Sequence, residues 1–202
     1  MGERNQRTPL GEPSPEDESQ HQGASTSEAL PQLSDEERRR LLQAWKTVYR
    51  LLRYRPRTEA ELRQALRRRG FSGDIIEAVL AEAREMRWVD DRAFAHLWVE
   101  QRSRSRPRAG WVLARELRER GVPEEFIDDA LAHVDEGALA RAAAEKAWRR
   151  YRSLPWPEAR RRLAQYLARR GFPYELIHDV LASWEAHPGS HPDDTLDEER
   201  EP

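Results

Sequence analysis

Cysteine is absent from the 202 residues of the chain, and no apolar run approaches the length of a membrane-spanning helix. Without cysteine the chain can form neither a disulfide nor a thiolate nucleophile, and a bilayer span needs about 20 consecutive apolar residues. The sequence also lacks a histidine cluster with zinc-site spacing, a phosphate-binding glycine loop and a G-x-S-x-G nucleophile turn. These absences favour a soluble protein and make an enzyme the least favoured class, and they are compatible with a reducing cytoplasm.

Lysine is nearly missing as well, because 33 of the 35 basic residues are arginine and only Lys46 and Lys146 are lysine. Arginine binds phosphates and carboxylates through paired hydrogen bonds, although a GC-rich genome would give the same bias without any function. The net charge of -2 conceals an asymmetry, since residues 34–185 contain 32 basic and 25 acidic residues, whereas residues 1–33 and 186–202 are acidic. A basic body with acidic tails favours an anionic partner, and tails that only aid solubility explain the pattern equally well.

Patterns typical of β-strands are missing, while helical periodicity runs through most of the chain between its two polar ends. Residues 1–33 and 186–202 have little to bury and are predicted to be disordered. The polar, acidic N-terminus does not resemble a secretory signal.

The central part of the chain contains an internal repeat, with offsets of 51 and then 50 residues between copies. Each copy predicts a helix with two leucines four residues apart, a glycine in the left-handed position after its end, and a second helix. The aligned segments are 58–80, 109–131 and 157–181. The equivalent residues are Leu62, Leu113 and Leu163; Leu66, Leu117 and Leu167; Gly70, Gly121 and Gly171; Ile76, Ile127 and Ile177; and Leu80, Leu131 and Leu181.

A further amphipathic helix precedes each pair, and S/T-x-x-E capping boxes at Ser34 and Thr58 mark two of the helix starts. We therefore predict an all-α fold of three tandem three-helix repeats with disordered termini. Each repeat is too small for a good core alone, so the repeats should form an elongated, curved, right-handed-type helical stack. The predicted repeats occupy residues 34–87, 88–134 and 135–185.

The adjacent acids Asp90 and Asp91, in the stretch RWVDDRAFA, are the most conspicuous polar motif. Two carboxylates could serve acid–base catalysis or bind a divalent cation, but the sequence offers no nearby nucleophile or further ligands. Aspartates at a helix start accept hydrogen bonds from free amides and favour the positive end of the helix. We interpret the pair as the start of the first helix of the second repeat, with Phe94 turned into the core.

Arginines recur between the first and second helices of each repeat. Aligned on one surface, they could follow DNA phosphates or an acidic protein groove, and the alternative is helix C-terminal charge in a solvated turn. We assign a binding role first to the middle cluster. The candidates are Arg53, Arg55 and Arg57; Arg102, Arg104, Arg106 and Arg108; and Arg149, Arg150 and Arg152.

Seven tryptophans are many for this length. Trp98 and Trp148 are 50 residues apart and are expected to be equivalent core residues. Trp88, Trp111 and Trp156 lie near predicted helix junctions, where they could fill gaps between repeats or anchor a partner. We prefer the first of these two roles.

These motifs together resemble the RecX family, bacterial regulatory proteins that modulate the RecA recombinase. The segment WVDDRAFA (88–95) resembles the family's aromatic-x-Asp-Asp-x-x-Phe-Ala signature, and residues 114–131 are similar to its Glu-Leu-x-x-x-Gly segment. Residues 52–71 resemble its Arg-Ser/Thr-x-x-Glu-Leu start. The resemblance covers about residues 40–184, and the acidic tails lie outside it. The signature residues, which we take to be structural, are Asp90, Asp91, Phe94, Glu116, Leu117 and Gly121.

The resemblance implies a cytoplasmic protein without catalytic activity or cofactor, which we expect to be a monomer. RecX proteins lie in the groove of the RecA–single-stranded DNA filament, where they lower strand exchange, ATP hydrolysis and LexA co-cleavage. The implied partners are therefore RecA and single-stranded DNA, in DNA repair, homologous recombination and the SOS response, with no membrane partner. The residues alone leave open a helical-repeat nucleic-acid-binding module without RecA specificity, or a general helical scaffold.

Overall fold

The computed structural model describes residues 34–185, which contain nine α-helices and no β-strand. The predicted disorder of residues 1–33 and 186–202 lies outside the described residues. None of the helices in the described range is both long and apolar enough to cross a membrane. The helices are α1 (Asp35–Leu52), α2 (Glu59–Arg67), α3 (Gly73–Glu85), α4 (Asp91–Ser105), α5 (Gly110–Arg118), α6 (Glu124–Leu131), α7 (Glu136–Tyr151), α8 (Trp156–Ala168) and α9 (Tyr174–Glu185).

The chain divides into two compact units, residues 1–38 and 39–202. The described part of the first unit is residues 34–38, where Ser34 and Glu37 form the predicted capping box. The Ser34 amide donates to Glu37 Oε2 at 2.8 Å, and the Glu37 amide donates to Ser34 Oγ at 3.3 Å. The contacts between repeats all lie in the second unit.

Local chemistry sets where the helices of the second unit begin and end. The side chains of Thr58, Asp90 and Asp135 each accept a hydrogen bond from the amide three residues later, which caps α2, α4 and α7. A glycine with positive φ lies three residues after the end of the second helix of every repeat, namely Gly70, Gly121 and Gly171. The next amide then donates back to the last leucine of the helix, as from Val122 to Leu117 at 3.2 Å. The predicted helix–glycine–helix pairs are confirmed.

The repeated leucines form the centre of the core. All six leucines at the i and i+4 positions of α2, α5 and α8 have no solvent exposure, and Phe94 is 7% exposed, as predicted. One buried cluster belongs to the first repeat, whereas a single continuous cluster extends through the second and third repeats. Leu131 departs from the pattern and is only half-buried, because α6 is eight residues long and ends there.

Two contacts of the same kind, which we call joints, connect the first repeat to the second and the second to the third. At each joint, the start of a second helix contacts the glycine turn of the following repeat. Thr58 Oγ1 donates to the Arg120 carbonyl at 2.7 Å, and the Ala109 amide donates to the Arg170 carbonyl at 3.1 Å. A Cβ atom on Gly121 would overlap the Cβ of Ala60, so the close approach requires glycine.

Candidate interaction surface

The predicted acid pair lies at the first joint and has two separate structural roles. Asp90 accepts a hydrogen bond from the Ala93 amide at 2.8 Å and caps its own helix, α4. Asp91 accepts one from the Glu59 amide at 2.9 Å, so it caps α2 of the preceding repeat. Glu136 repeats this contact at the second joint, where it accepts the Gly110 amide at 2.6 Å. Asp91 and Glu136 therefore connect neighbouring repeats, whereas Asp90 acts within its own helix.

The environment of Asp91 opposes its charge. Burial raises the pKa of the Asp91 carboxyl, and the negative charges of Glu59 and Asp90 raise it further, while the hydrogen bond from the Glu59 amide lowers it. The side chain remains beside helix starts, where a carboxylate is otherwise favoured. Its position is explained by the joint and requires no catalytic role.

Trp98, on α4, is the centre of a cluster of charged side chains. Its indole Nε1 donates to Glu116 Oε2 at 3.0 Å. The guanidinium carbons of Arg102 and Arg120 lie 4.3 and 3.9 Å from the centre of its ring. Such cation–π contacts stabilise a cation on an aromatic face. Trp98 is half-buried among arginines and Trp148 is buried, so the prediction that both are core residues holds for Trp148 and not for Trp98.

Glu116 holds two arginines of the middle cluster. Its Oε2 accepts from Arg102 Nε at 3.0 Å, and its Oε1 lies 3.1 Å from Arg108 Nη1. The Glu116 side chain is only 14% exposed, so its carboxylate needs these donors. Two of the four predicted middle-cluster arginines are thus already paired inside the protein.

Glu61 likewise binds arginines of the first cluster. Its carboxylate contacts Arg120 of the second repeat at 2.6 Å, Arg55 at 2.9 Å and Arg57 at 3.9 Å. Burial, and then the positive charge of Arg55, lower the pKa of the Arg57 guanidinium from its usual value. We call Glu61, Glu116, Trp98 and the arginines they contact the arginine line, because they connect the first two clusters. Its arginines are Arg55, Arg57, Arg102, Arg108 and Arg120.

The remaining candidates are exposed to solvent. Among the acids between residues 34 and 185, Arg104 pairs with Glu100 on its own helix, and none pairs with Arg106. Lys146 Nζ donates to the Arg104 carbonyl, which brings α7 against the end of α4. Arg149 and Arg150 follow Lys146 by one helical turn, so they lie near the same end of α4. We call Arg104, Arg106, Arg149 and Arg150 the basic edge; Arg53 and Arg152 are also exposed.

Sequence reasoning did not identify Glu61 or Arg120 as members of this surface. They lie 59 residues apart and meet only because the first two repeats pack together. Trp98 and Arg102 did carry a sequence signal, since an aromatic and an arginine four residues apart share one helix face.

Three family models match the chain in order along the described repeats. They are the RecX first three-helix domain at residues 44–82, the second at residues 90–131 and the third at residues 135–181.

Relatives with this description are similar over the same part of the chain. Regulatory protein RecX of Mycolicibacterium vanbaalenii is 44% identical over 125 residues, which cover 62% of this chain and 66% of that protein. Regulatory protein RecX of Thermobifida fusca is 46% identical over 95 residues, which cover 46% and 51%. The chain thus spans between about half and two thirds of the length of these curated relatives.

Solved structures share the fold. The crystal structure of RecX from Lactobacillus salivarius matches with a TM-score of 0.62 at 19% identity, over 73% of this chain and 97% of that chain. A second structure, of regulatory protein RecX, matches with a TM-score of 0.59 at 26% identity, over 70% and 72%. With three of its domains matched in order and two joints holding them together, the chain belongs to the RecX family.

Proposed function

We propose that this protein binds the RecA–single-stranded DNA filament and mainly inhibits the recombinase, ATPase and co-protease activities of RecA. The observation that carries the proposal is the presence of all three RecX domains, in order. In this proposal the chain acts in the cytoplasm as a monomer, without catalytic activity or cofactor of its own.

The basic edge is the part of the protein that we assign to direct contact. Arg106, Arg149 and Arg150 are exposed, and no acid between residues 34 and 185 pairs with them. Their donors are free for phosphate or carboxylate groups, which guanidinium binds through two parallel hydrogen bonds. Arg53 is a further candidate for the same role, because it is exposed, and Arg152 stays a candidate only as a member of the third predicted cluster.

The arginine line has a different part in the proposal. Arg102 and Arg108 are held by Glu116, and Arg120 by Glu61. These contacts fix α4 against α5 and the first repeat against the second, which positions the basic edge. We therefore expect replacement of all four middle-cluster arginines to disturb the fold as well as binding. Arg104 and Arg106 should be changed without the other two.

Co-sedimentation with RecA assembled on single-stranded DNA tests the assignment. We expect the parent to sediment with the filament and Arg104→Ala/Arg106→Ala to bind about tenfold or more weakly, with an unchanged thermal midpoint. Arg115→Ala/Arg118→Ala is the matched control, since both arginines are exposed on the same repeat and, unlike Arg106, both pair with acids, Glu119 and Glu124. Equal binding by the two double variants would contradict a contact role for the basic edge.

The same experiment separates a RecA-directed protein from a nucleic-acid-binding module without RecA specificity. The exposed arginines favour both functions, and binding to DNA phosphates alone weakens steeply with salt. We expect binding to the filament to exceed binding to bare single strands at physiological salt. Affinity for bare strands that equals affinity for the filament would support the module and contradict the proposal.

A further inference from the structure

An open apolar groove lies on the first repeat, and none of its residues belongs to the arginine line or the basic edge. It is formed by α1 and by the end of α3, and its volume is about 430 Å³. Tyr49, Met86 and Trp88 are each about half exposed, which is unusual for such large side chains in one patch. The lining residues are Trp45, Lys46, Tyr49, Glu82, Met86 and Trp88.

The walls of this groove are preformed. The Trp45 and Trp88 rings meet edge to face with 5.6 Å between their centres, and Tyr49 lies 6.1 Å from Trp88. Trp45 Nε1 donates to Glu82 Oε2 at 3.0 Å, so the indole and the carboxylate satisfy each other. The groove therefore presents mainly aromatic and methionine side chains to a ligand. Such side chains are typical of pockets that bind the anchor residues of a partner protein.

Arg87 lies beside this groove in a strained conformation. Its φ is 55°, and it is the one residue other than glycine with positive φ in the described range 34–185. The turn has the same hydrogen bonds as the glycine turns, with the Trp88 amide donating to the Ala83 carbonyl at 2.9 Å. Glycine would fit there without strain, so arginine at this position has a conformational cost, and strained residues of this kind cluster at functional sites.

The charges around the groove are mostly positive. Lys46 and Arg50 lie one helical turn apart on α1, and Arg87 precedes Trp88; all three side chains are exposed. Within residues 34–185, no acid forms an ion pair with any of the three. Glu82 is engaged by Trp45, which leaves Glu85 as the exposed acid next to Met86. A ligand with negative charge beside its apolar groups would complement this rim.

We propose that this groove binds a helical segment of a partner protein that carries large apolar side chains flanked by carboxylates. The apolar side chains fill the space between Tyr49 and Trp88, and the carboxylates pair with Lys46, Arg50 and Arg87. This is the helix-in-groove mode of recognition, in which anchors recur every three or four residues. Single strands can stack bases on exposed aromatic rings without contacts to base edges, so binding of an oligothymidylate in place of the acidic peptide is an outcome that would contradict a protein partner. The proposal does not depend on RecA being the partner of the basic edge.

Fluorescence anisotropy of a labelled peptide tests the groove on the full chain. The probe is a short helical peptide with leucine anchors on one face and glutamates beside them, and its control has lysines in place of the glutamates. We expect the acidic peptide to bind and the lysine peptide to bind at least about tenfold more weakly. Trp88→Ala and Tyr49→Ala should each reduce binding of the acidic peptide about tenfold. Tyr174→Ala, which removes an exposed tyrosine from the third repeat, should leave it unchanged.

Arg87→Gly separates a binding role from a structural one. Glycine relieves the left-handed strain and removes the charge, so the variant should bind the acidic peptide more weakly while its thermal midpoint does not fall. Unchanged peptide affinity in this variant would contradict the role of Arg87.

Three further outcomes would overturn the proposal. They are equal binding of the two peptides, full binding by both Trp88→Ala and Tyr49→Ala, and a groove that binds a labelled oligothymidylate or a second copy of the chain but not the acidic peptide. A negative result with RecA filaments, together with the expected peptide result, would overturn the proposed function and leave this inference standing.

Discussion

Among single residues, Asp91 shows how a charged side chain can be kept for its hydrogen bond rather than for its charge. A raised pKa in the folded state means that ionisation is less favourable there than in the unfolded chain. The folded state then binds more protons than the unfolded state over the interval between the two pKa values. The contribution of Asp91 to stability therefore falls as the pH rises through that interval.

We expect Asp91→Asn to be at least as stable as the parent at neutral pH, because the amide oxygen keeps the Glu59 hydrogen bond without a half-buried charge. Asp91→Ala should lose about 1 kcal/mol, since the start of α2 loses its acceptor. Thermal unfolding of the three proteins between acidic and neutral pH measures both effects. A parent that gains stability relative to Asp91→Asn as the pH rises would contradict the direction of the pKa shift.

Glu116 provides a second test at this scale. Glu116→Ala should destabilise the protein by about 1–3 kcal/mol, because Arg102 and Arg108 are partly buried and lose their shared acceptor. Glu119, three residues later, pairs with the exposed Arg115 at the surface, so Glu119→Ala should change stability by less than about 0.5 kcal/mol. Chemical denaturation compares the two variants, and equal losses would show that Glu116 is an ordinary surface acid.

At the scale of helices and turns, the same glycine turn has different structural roles in different repeats. Gly70 and Gly121 have nearly the same φ, 77° and 75°. A Cβ on Gly70 would meet nothing within 4 Å, whereas one on Gly121 would overlap Ala60 of the preceding repeat. The turn at Gly70 needs glycine only for its backbone, and the turn at Gly121 also needs it for the joint.

This pair of glycines yields a matched experiment. Gly70→Ala should cost about 1–2 kcal/mol from left-handed strain alone. Gly121→Ala should cost about 1–3 kcal/mol more, because the added methyl group forces the first two repeats apart. Urea denaturation of both variants measures the difference. Losses of the same size would mean that the joint adjusts freely and that the repeats are less tightly coupled than their contacts indicate.

The sequence could predict the elements but not their contacts. Capping residues, leucine spacing and glycine turns act within a few residues, so the starts of α2, α4 and α7 and the ends of α2, α5 and α8 followed from local chemistry. The partner of Asp91 lies 32 residues away, and the pairing of Arg108 with Glu116 depends on how the turn after α4 folds back onto α5. The arginine clusters therefore appeared uniform in the sequence, whereas the structure separates paired arginines from exposed ones.

For the whole molecule, the two joints and the arginine line couple the repeats, and the basic edge and the aromatic groove remain open to partners. The joints use backbone hydrogen bonds and close contacts at glycine, so they leave the exposed arginines out of the fold's internal pairing. Some arginines therefore form ion pairs that stabilise the fold, and others remain exposed and available to a partner. This division also supports the proposal of a regulator that acts by binding.

The rate of ATP hydrolysis by RecA on single-stranded DNA tests the central claim most directly. We expect the rate to fall progressively as the protein is added at substoichiometric to several-fold excess over RecA, and to fall much less with Arg104→Ala/Arg106→Ala. An unchanged rate at several-fold excess, with no protein sedimenting with the filament, would contradict it.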